Sequence, residues 1–309
     1  LVGSEMCIRD SLRTPDYLPG ILGMTLPAIN VNKVENKGFE IQAKWNDRIG
    51  TDFRYWANFN ISFARNKIVF MNEVEQNEPW MYQTGRRINS RSMYKFWGFY
   101  DETADLRYQE EFGIPISDHG ITLQPGDAVY VDLNKDGKLD GNDATRDIGF
   151  TDLPEYTAGL NLGFSWKNFD LSMMWQGTIG NDVYDATRPI DIANANLPSW
   201  MLNRWTGEGT SDKYPRFAWG DNTNWLSSDL YVYDGSYLRL KNIQLGYTLP
   251  ENWTRNAFVS SLRVYVAAEN LLTFTKYHGY DPEISSGGTS LGIDRGVYPQ
   301  SRTWTVGAN

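Results

Sequence analysis

Two adjacent segments of the chain alternate strictly between apolar and other residues, with a tight turn between them. From Tyr156 to Trp166 every second residue is apolar, and the alternation resumes from Phe169 to Gln176. The positions between hold mostly Thr, Gly, Asn, Ser, Asp and Gln. Successive side chains of a strand point to opposite faces, so this pattern predicts a β-hairpin with one apolar and one polar face, turning at Lys167-Asn168.

The same alternation recurs along the chain, which indicates an all-β architecture. It is found at 39–45, 53–63, 243–249 and 262–268, and it begins again at Trp304. In the hairpin, aromatic residues stand near both strand ends, with smaller or aliphatic residues between them. That distribution is typical of transmembrane barrel strands, whose aromatic girdles mark the two membrane interfaces.

A soluble antiparallel sandwich also alternates, since one of its faces packs on a core and the other meets water. Two features favour a membrane barrel instead. The apolar faces carry almost no charge, and the connections alternate in length. The turns at 46–50 and 167–168 are short, whereas 67–155, 177–236 and 275–301 are long, which predicts periplasmic turns and extracellular loops respectively.

One strand departs from the pattern. By simple alternation, Tyr237, Arg239 and Lys241 would share the apolar face with Ile243 and Leu245. Either this strand emerges above the bilayer, or a bulge shifts its register.

Composition excludes several classes of function. The net charge of −9 argues against nucleic acid as a partner, since nucleic acid recruits clustered Lys and Arg. A single cysteine excludes an intrachain disulfide framework, and two histidines leave little room for a His-based metal centre or a catalytic triad. No run of about 18 apolar residues predicts a transmembrane helix.

The first eleven residues, LVGSEMCIRDS, show neither periodicity nor a signal-peptide pattern. We expect residues 1–11 to be a non-native remnant that resembles translated sequencing adapter, and the native chain to begin in mid-protein. We also expect the C-terminal end to be truncated, because the last alternating segment stops after a few residues.

Five segments in order give the chain a family resemblance. They are GDAVYVDLNKDGKLDGNDATRDIG (126–149), PEYTAGLNLGFSWKNFDLSMMWQGTIGNDVY (154–184), YVYDGSYLRLKNIQLGYTLP (231–250), SSLRVYVAAENLLTFTKYHGYDPE (260–283) and GIDRGVYPQSRTWTVG (292–307). Over residues 12–309 the chain resembles the C-terminal part of a SusC/RagA-family TonB-dependent outer-membrane transporter.

The resemblance implies the last strands of a partial antiparallel barrel of about 22 strands in the outer membrane of a Gram-negative bacterium, with the plug domain absent. It further implies import of glycan or peptide fragments and no enzymatic activity. The implied partners are a SusD-like surface lipoprotein, the TonB-ExbB-ExbD system acting through the missing N-terminal part, an oligosaccharide or peptide substrate, and outer-membrane lipid.

The segment from Asp132 to Asp143 carries the most specific local chemistry. It matches the EF-hand calcium loop at every ligand position except the last, where Asp143 replaces Glu. The predicted ligands of a structural Ca²⁺ ion are Asp132, Asn134, Asp136, Lys138 through its backbone carbonyl, Asp140 and Asp143. The alternative is an Asp/Asn/Gly-rich turn that binds nothing. A preceding short strand at 128–131 favours a structural clip over a calmodulin-like switch.

The predicted loop 177–236 is rich in tryptophan: Trp200, Trp205, Trp219 and Trp225. Aromatic faces beside carboxylates suit contact with sugar or with a partner protein. A long ordered loop also needs aromatics for its own small core, and the composition favours that second interpretation.

A different class of function fits part of the same sequence. A secreted calcium-binding carbohydrate-active β-protein, either a glycoside hydrolase with two catalytic carboxylates or a carbohydrate-binding module, would also be rich in Trp and Asp. Nothing in the sequence marks a particular carboxylate pair, and such a protein has no need of lipid-facing aromatic girdles.

Overall fold

In a computed structural model, the described residues are 5–13, 29–117, 120–187, 197–218, 220, 222–255, 259–284 and 291–309. Trp219, one of the tryptophans predicted to contact ligand or partner, falls outside these ranges.

The strands and helices follow one another along the chain as a series of long strands separated by shorter elements. In order they are β1 (Glu5–Arg13), β2 (Ile29–Ile49), β3 (Phe53–Phe70), β4 (Phe96–Phe99), α1 (Ala104–Phe112), β5 (Ala128–Tyr130), β6 (Tyr156–Trp166), β7 (Phe169–Ile179), β8 (Asp182–Asp185), β9 (Val232–Asp234), β10 (Tyr237–Thr248), α2 (Glu251–Thr254), β11 (Arg263–Thr275), β12 (Ile293–Asp294) and β13 (Thr303–Ala308).

Eight strands form one sheet in the order β1-β2-β3-β6-β7-β10-β11-β13, and every neighbouring pair is antiparallel. The predicted all-β fold and the predicted hairpin are therefore confirmed. The turn residue Lys167 has φ +53°, a conformation that tight hairpin turns require. None of the helices in the described ranges combines the length and apolarity needed to cross a membrane.

The register keeps one face apolar through the central strands of the sheet. Phe59 pairs with Leu160, Leu160 pairs with Trp175, and Leu245 pairs with both Leu171 and Val266. We call this side the apolar face and the opposite side the polar face. Nothing in the described chain covers the apolar face: its large side chains remain exposed, among them Trp45 (60%), Trp304 (64%) and Val306 (79%).

The polar face has glycines where large side chains lie flat against it. An ideal Cβ at Gly163 would come within 2.1 Å of the Trp56 ring on the neighbouring strand. Only glycine leaves room for this packing, which explains the alternation of Gly with polar residues in β6.

β10 contains the register shift that the sequence left open. The shift lies between Leu240 and Asn242, and it is present against both β7 and β11. As a result Leu238 and Leu240 join the apolar series, whereas Arg239 faces Gln176 and Thr273 on the polar side. The bulge therefore accounts for the apparent charges on the apolar face.

Two boundaries differ from the predictions. The turn predicted at 46–50 comprises residues 50–52, because β2 continues to Ile49. The loop predicted to begin at 67 begins at 71, because β3 continues to Phe70. Both strands exceed the 9–11 residues that span a bilayer. Residues 5–11 of the segment without periodicity belong to β1, which pairs with β2 through two register shifts. The non-native origin of residues 1–11 stays a prediction.

Candidate functional site

The polar face forms the floor of an open cavity of about 790 Å³ over β2, β3, β6 and β7. Its polar lining residues are Glu40, Gln42, Asn60, Ser62, Thr157, Asn161 and Gln176. These side chains supply both donors and acceptors of hydrogen bonds. A surface of this chemistry suits water and polar solutes rather than lipid.

All described long connections leave the same end of the sheet. Residues 71–155, 180–236 and 276–302, in their described parts, fold together there, and we call them the loop assembly. Their common core consists of Met93 and Phe150 from the first connection, Tyr184 and Tyr231 from the second, and Ile293 from the third. The three connections thus form one packed structure and not three separate loops.

Short β-strands tie the second connection to the third. β8 pairs in parallel with β12 and antiparallel with β9. Beside this pairing, His278 Nε2 lies 3.1 Å from the buried carboxylate of Asp185, and the Tyr277 hydroxyl donates to Asp294 at 2.6 Å. Burial raises the pKa of Asp185, but hydrogen bonds from His278 and Thr187 outweigh this effect and leave its pKa below the usual value.

An ion-pair network fastens the third connection to the polar face of β10. Arg239 is 2% exposed, and its guanidinium group donates to Asp281 at 2.5 Å and to Glu283 at 2.8 Å. Lys241, the bulge residue, donates to the same Glu283 at 2.6 Å. The sequence marked Arg239 and Lys241 as exceptions to the alternation, but their acidic partners become visible only in three dimensions.

A second buried network holds the first and second connections together. Arg216 donates to the two oxygens of Asp127 at 2.6 and 3.2 Å, and Asn224 donates to Asp127 at 3.1 Å. Sequence reasoning did not identify these residues, because Asp127 and Arg216 are 89 residues apart in the chain.

The predicted calcium loop is wound around two buried carboxylates. Asp132 accepts from the backbone N–H of Lys135 at 2.6 Å and of Gly137 at 2.9 Å, and Asp143 accepts from Leu133 at 2.8 Å and Asp140 at 2.9 Å. Gly137 has φ +82°, as the sharp turn at the sixth position requires.

The donor set of this loop fits a hard cation in type but only partly in arrangement. Asn134, Asp136 and Asp140 lie on the exposed rim, and each accepts a backbone N–H two residues further on. Among the described residues, no group of three His, Cys, Asp or Glu side chains converges as a metal site does. Burial raises the pKa of Asp143, and the charge of Asp132 adds to this effect. A cation between the two carboxylates would relieve their repulsion.

The described tryptophans of the second connection make different contacts. Trp225 packs at the edge of the shared loop core and stacks on Tyr231. Trp205 lies over Gly126, where an added Cβ would come within 2.3 Å of its ring. Trp200 is half-buried and stacks on Tyr214 with ring centroids 4.7 Å apart. A ligand role for these side chains stays a prediction.

Curated relatives of the chain are receptors of one kind. TonB-dependent receptor P3 of Formosa agariphila is 30% identical over 97% of this chain, which covers 31% of that protein. TonB-dependent receptor SusC of Bacteroides thetaiotaomicron is 25% identical over 90% of this chain, which covers 26% of SusC. The chain thus spans about a third or less of the length of these relatives. No protein-family model matches it.

Solved structures show the same fold. The RagAB peptide importer in its open-open state superposes with a TM-score of 0.69 and 23% identity, over 97% of this chain and 31% of the importer chain. The RagAB peptide transporter gives a TM-score of 0.67 over 94% of this chain. The eight-stranded sheet with its loop assembly thus has the same fold as about a third of the matched importer chain.

Proposed function

The chain belongs to the TonB-dependent receptors, and on this premise we propose that it forms part of an outer-membrane barrel that imports glycan or peptide fragments. The observation that carries the proposal is the pair of unlike faces on one sheet. An uncovered apolar face with aromatic side chains near its ends suits lipid, and a polar face with an open cavity suits an aqueous lumen. The open edges at β1 and β13 are where further strands of a closed barrel would pair.

The proposal assigns the short turns to the periplasm and the loop assembly to the cell surface, as the lengths of the connections predict. The loop assembly would then offer a surface to a SusD-like lipoprotein, and the TonB-ExbB-ExbD system would act through a part of the receptor outside this chain. The paired name RagAB in the matched structures supports a two-component assembly. The proposal gives the chain a role in transport and none in catalysis.

The alternative hypothesis, that the chain is a secreted hydrolase or carbohydrate-binding module, has less support. The relatives that match 90–97% of the chain are all receptors. A soluble module would also have to cover the exposed apolar face, and no described element does so.

Uptake measurements test the transport proposal. We expect the complete receptor containing this chain to restore uptake of labelled oligosaccharide or peptide fragments to a strain from which its gene is deleted. We expect that uptake to disappear when TonB is removed. Recovery of the protein from the culture medium without detergent, or uptake that persists without TonB, would contradict the proposal.

We also propose that the loop from Asp132 to Asp143 binds a structural Ca²⁺ ion through Asp132, Asn134, Asp136, Asp140, Asp143 and the Lys138 carbonyl. Its support is the EF-hand spacing, the buried Asp132 and Asp143, and the turn at Gly137. We expect calcium at about millimolar concentration to raise the unfolding temperature of the receptor relative to chelator. The rise should disappear in Asp132→Asn and persist in Asp212→Asn, an exposed control. Equal unfolding temperatures in calcium and chelator would refute the clip.

The tryptophans Trp200, Trp205, Trp219 and Trp225 form our proposed surface for ligand or lipoprotein contact. Trp200 is the sharpest test among those described, because it is half-buried at the loop surface and outside the shared core. We expect Trp200→Ala to weaken ligand or lipoprotein binding without loss of folded receptor. If binding is unchanged, the ligand role of Trp200 is wrong and its stack with Tyr214 is structural.

A further inference from the structure

A cavity of about 320 Å³ lies beside the end of β3 where that strand leaves the apolar band, and its lining is mainly basic. Five cationic side chains line it: Arg65, Lys67, Arg86, Arg87 and Arg146. Asp147 is the one carboxylate among its described lining residues. The proposed import function gives this cavity no role.

The positive charges around the cavity are only partly balanced, although the carboxylate of Asp182 also acts on Arg87. Arg65 donates to Glu155 Oε1 at 2.8 Å, and Arg87 contacts the same oxygen. Two guanidinium groups therefore share one carboxylate oxygen. Burial lowers the pKa of Arg87, and the charge of Arg65 lowers it further, which is the effect of a neighbouring like charge.

The other basic residues divide into a paired group and a free one. Arg86 pairs with Asp147 at 2.8 Å, and Arg146 donates to the carbonyls of Met81, at 3.0 Å, and Ser90. Lys67 is exposed, and its ammonium group has no hydrogen-bond or ion-pair partner in the part of the chain that the structure describes. Lys67 is thus available to a ligand without the loss of a structural contact.

A buried hydroxyl group completes the lining. Ser90 is only 7% exposed, and its Oγ has no hydrogen-bond partner among the described residues. Buried hydroxyls in folded proteins are nearly always hydrogen-bonded, so an unpaired one beside a cavity points to a missing acceptor. An oxyanion would accept from Ser90 and neutralise the surrounding cations together.

The strand register places the cavity at the rim of the apolar face. Arg65 and Lys67 continue the odd-numbered series of Phe59, Ile61 and Phe63, and the pairing of β3 with β2 is regular throughout this stretch. Phe63 belongs to an aromatic cluster, with ring centroids 5.5 Å from Phe39 and 4.8 Å from Tyr156. At about 3.3 Å per residue, Arg65 and Lys67 lie roughly 7 and 13 Å beyond Phe63 along the strand.

Aromatic girdles sit at the membrane interface, so a basic cluster just beyond one lies at the level of lipid headgroups. Long basic side chains at this level favour phosphate, which offers several acceptor oxygens and up to two negative charges. A single carboxylate would leave more of the positive charge unbalanced.

We propose that this cavity binds a phosphate group through Arg65, Lys67, Arg87 and Ser90, and that its source is the phosphorylated headgroup of an outer-leaflet lipid. Free phosphate has the same chemistry, and the experiment below separates the two sources. The site lies on the outside of the sheet, so the receptor would carry a bound lipid next to its loop assembly.

The test uses the complete receptor containing this chain, purified in detergent without phosphate. One arm titrates inorganic phosphate by calorimetry. The other compares phosphatidylcholine nanodiscs that carry phosphorylated or dephosphorylated lipid A, and measures retained lipid A by native mass spectrometry. The variants are Lys67→Gln, Arg87→Gln and Ser90→Ala, with Lys213→Gln as the control, since Lys213 is an exposed cation of another loop.

We expect phosphorylated lipid A to be retained over the dephosphorylated form. Affinity should fall about tenfold in Lys67→Gln or Arg87→Gln and stay unchanged in Lys213→Gln. Binding of inorganic phosphate with no preference for phosphorylated lipid would keep the phosphate site but overturn the lipid as its source. No binding in either arm, or an equal loss in Lys213→Gln, would overturn the proposal. If Arg87→Gln disturbs the folding of the loops through its contact with Glu155, Lys67→Gln still tests the site, because the Lys67 side chain makes no structural contact with the described residues.

Discussion

The sheet and the loop assembly differ in how much of their apolar surface is buried. The sheet leaves large apolar side chains exposed along one entire face, from Trp45 in β2 to Val306 in β13. The loop assembly has a buried core of large side chains instead: Phe150, Tyr231 and Met93 are each 1% exposed. The sheet is therefore built for a non-aqueous neighbour, whereas the loop assembly is built like a small water-soluble domain.

The two regions also differ in how they hold charge. Asp127, Asp132, Asp143, Asp185 and Arg239 are buried next to partners at the loop end of the molecule. In the sheet the charged residues lie on the polar face or at the strand ends, as with the pair of Arg263 and Asp170 at 2.5 Å. A lipid-facing strand cannot tolerate a charge at its centre, but a loop core can if the partner is fixed.

Truncating the loop core should give the largest effect and separate the two regions. Phe150→Ala removes a fully buried ring that three connections share, and we expect a loss of about 4 kcal/mol in the stability of the loop assembly. Hydrogen exchange should rise together in all three connections and stay unchanged in β6 and β7. Leu202→Ala, at an 80% exposed loop position, is the matched control. Exchange that rises equally in the sheet would contradict the separation.

The Arg239 network should be the main link between the two regions. Arg239→Ala leaves Asp281 buried without its cation, which we expect to cost about 3 kcal/mol. The third connection should detach from β10, and protease should then cut within 276–284. Lys213→Ala is the control for loss of an exposed cation. An unchanged cleavage pattern would show that other contacts hold this connection.

A charge placed on each face in turn should distinguish the two faces of the sheet. Leu162→Arg puts a cation in the middle of the apolar series, and we expect it to lower the unfolding free energy in lipid vesicles by about 2–4 kcal/mol. Asn161→Arg, one residue away on the polar face, should have an effect close to zero. Similar losses in the two variants would mean that neither face meets lipid.

The smallest expected effect is a pH dependence confined to the loop assembly. Because the pKa of Asp185 is held below its usual value in the folded protein, its ionised form contributes stability above the unfolded pKa of about 3.9. That contribution is lost as the pH falls through the lower, folded pKa. Asp185→Asn should flatten the pH dependence of loop unfolding below about pH 4, whereas Asp212→Asn should not. Identical acid profiles for the wild type and Asp185→Asn would contradict this assignment.

The sheet was predictable from sequence because its determinants are local. Alternation alone placed the start of both hairpin strands at Tyr156 and Phe169 and the turn between them, as the structure confirms. The strand ends were less accurate: β2 runs on to Ile49 because its polar last residues still pair with β3. The sequence flagged the irregularity at Arg239, but only the pairing with β7 and β11 selected the bulge.

The loop assembly was much less predictable, because its contacts join distant parts of the chain. β8 pairs with β12 more than 100 residues away, and the partners of Arg239 and Arg216 are 42 and 89 residues away. The periodic pattern of apolar and polar residues does not predict contacts between such distant segments. The proposed calcium ligands are local instead, since all of them lie within one twelve-residue motif, and calcium binding there stays a prediction.

The most direct test of the central claim is the environment of successive residues along β6. In the complete receptor with its own cysteines replaced by serine, single cysteines at Leu160, Asn161 and Leu162 would each carry a nitroxide label in lipid vesicles. Power saturation then compares access of oxygen, which is enriched in lipid, with access of a water-soluble nickel complex. We predict that labels at Leu160 and Leu162 favour oxygen and that the label at Asn161 favours nickel. Equal access along the strand, or nickel access at Leu160 and Leu162, would contradict the assignment of the apolar face to lipid.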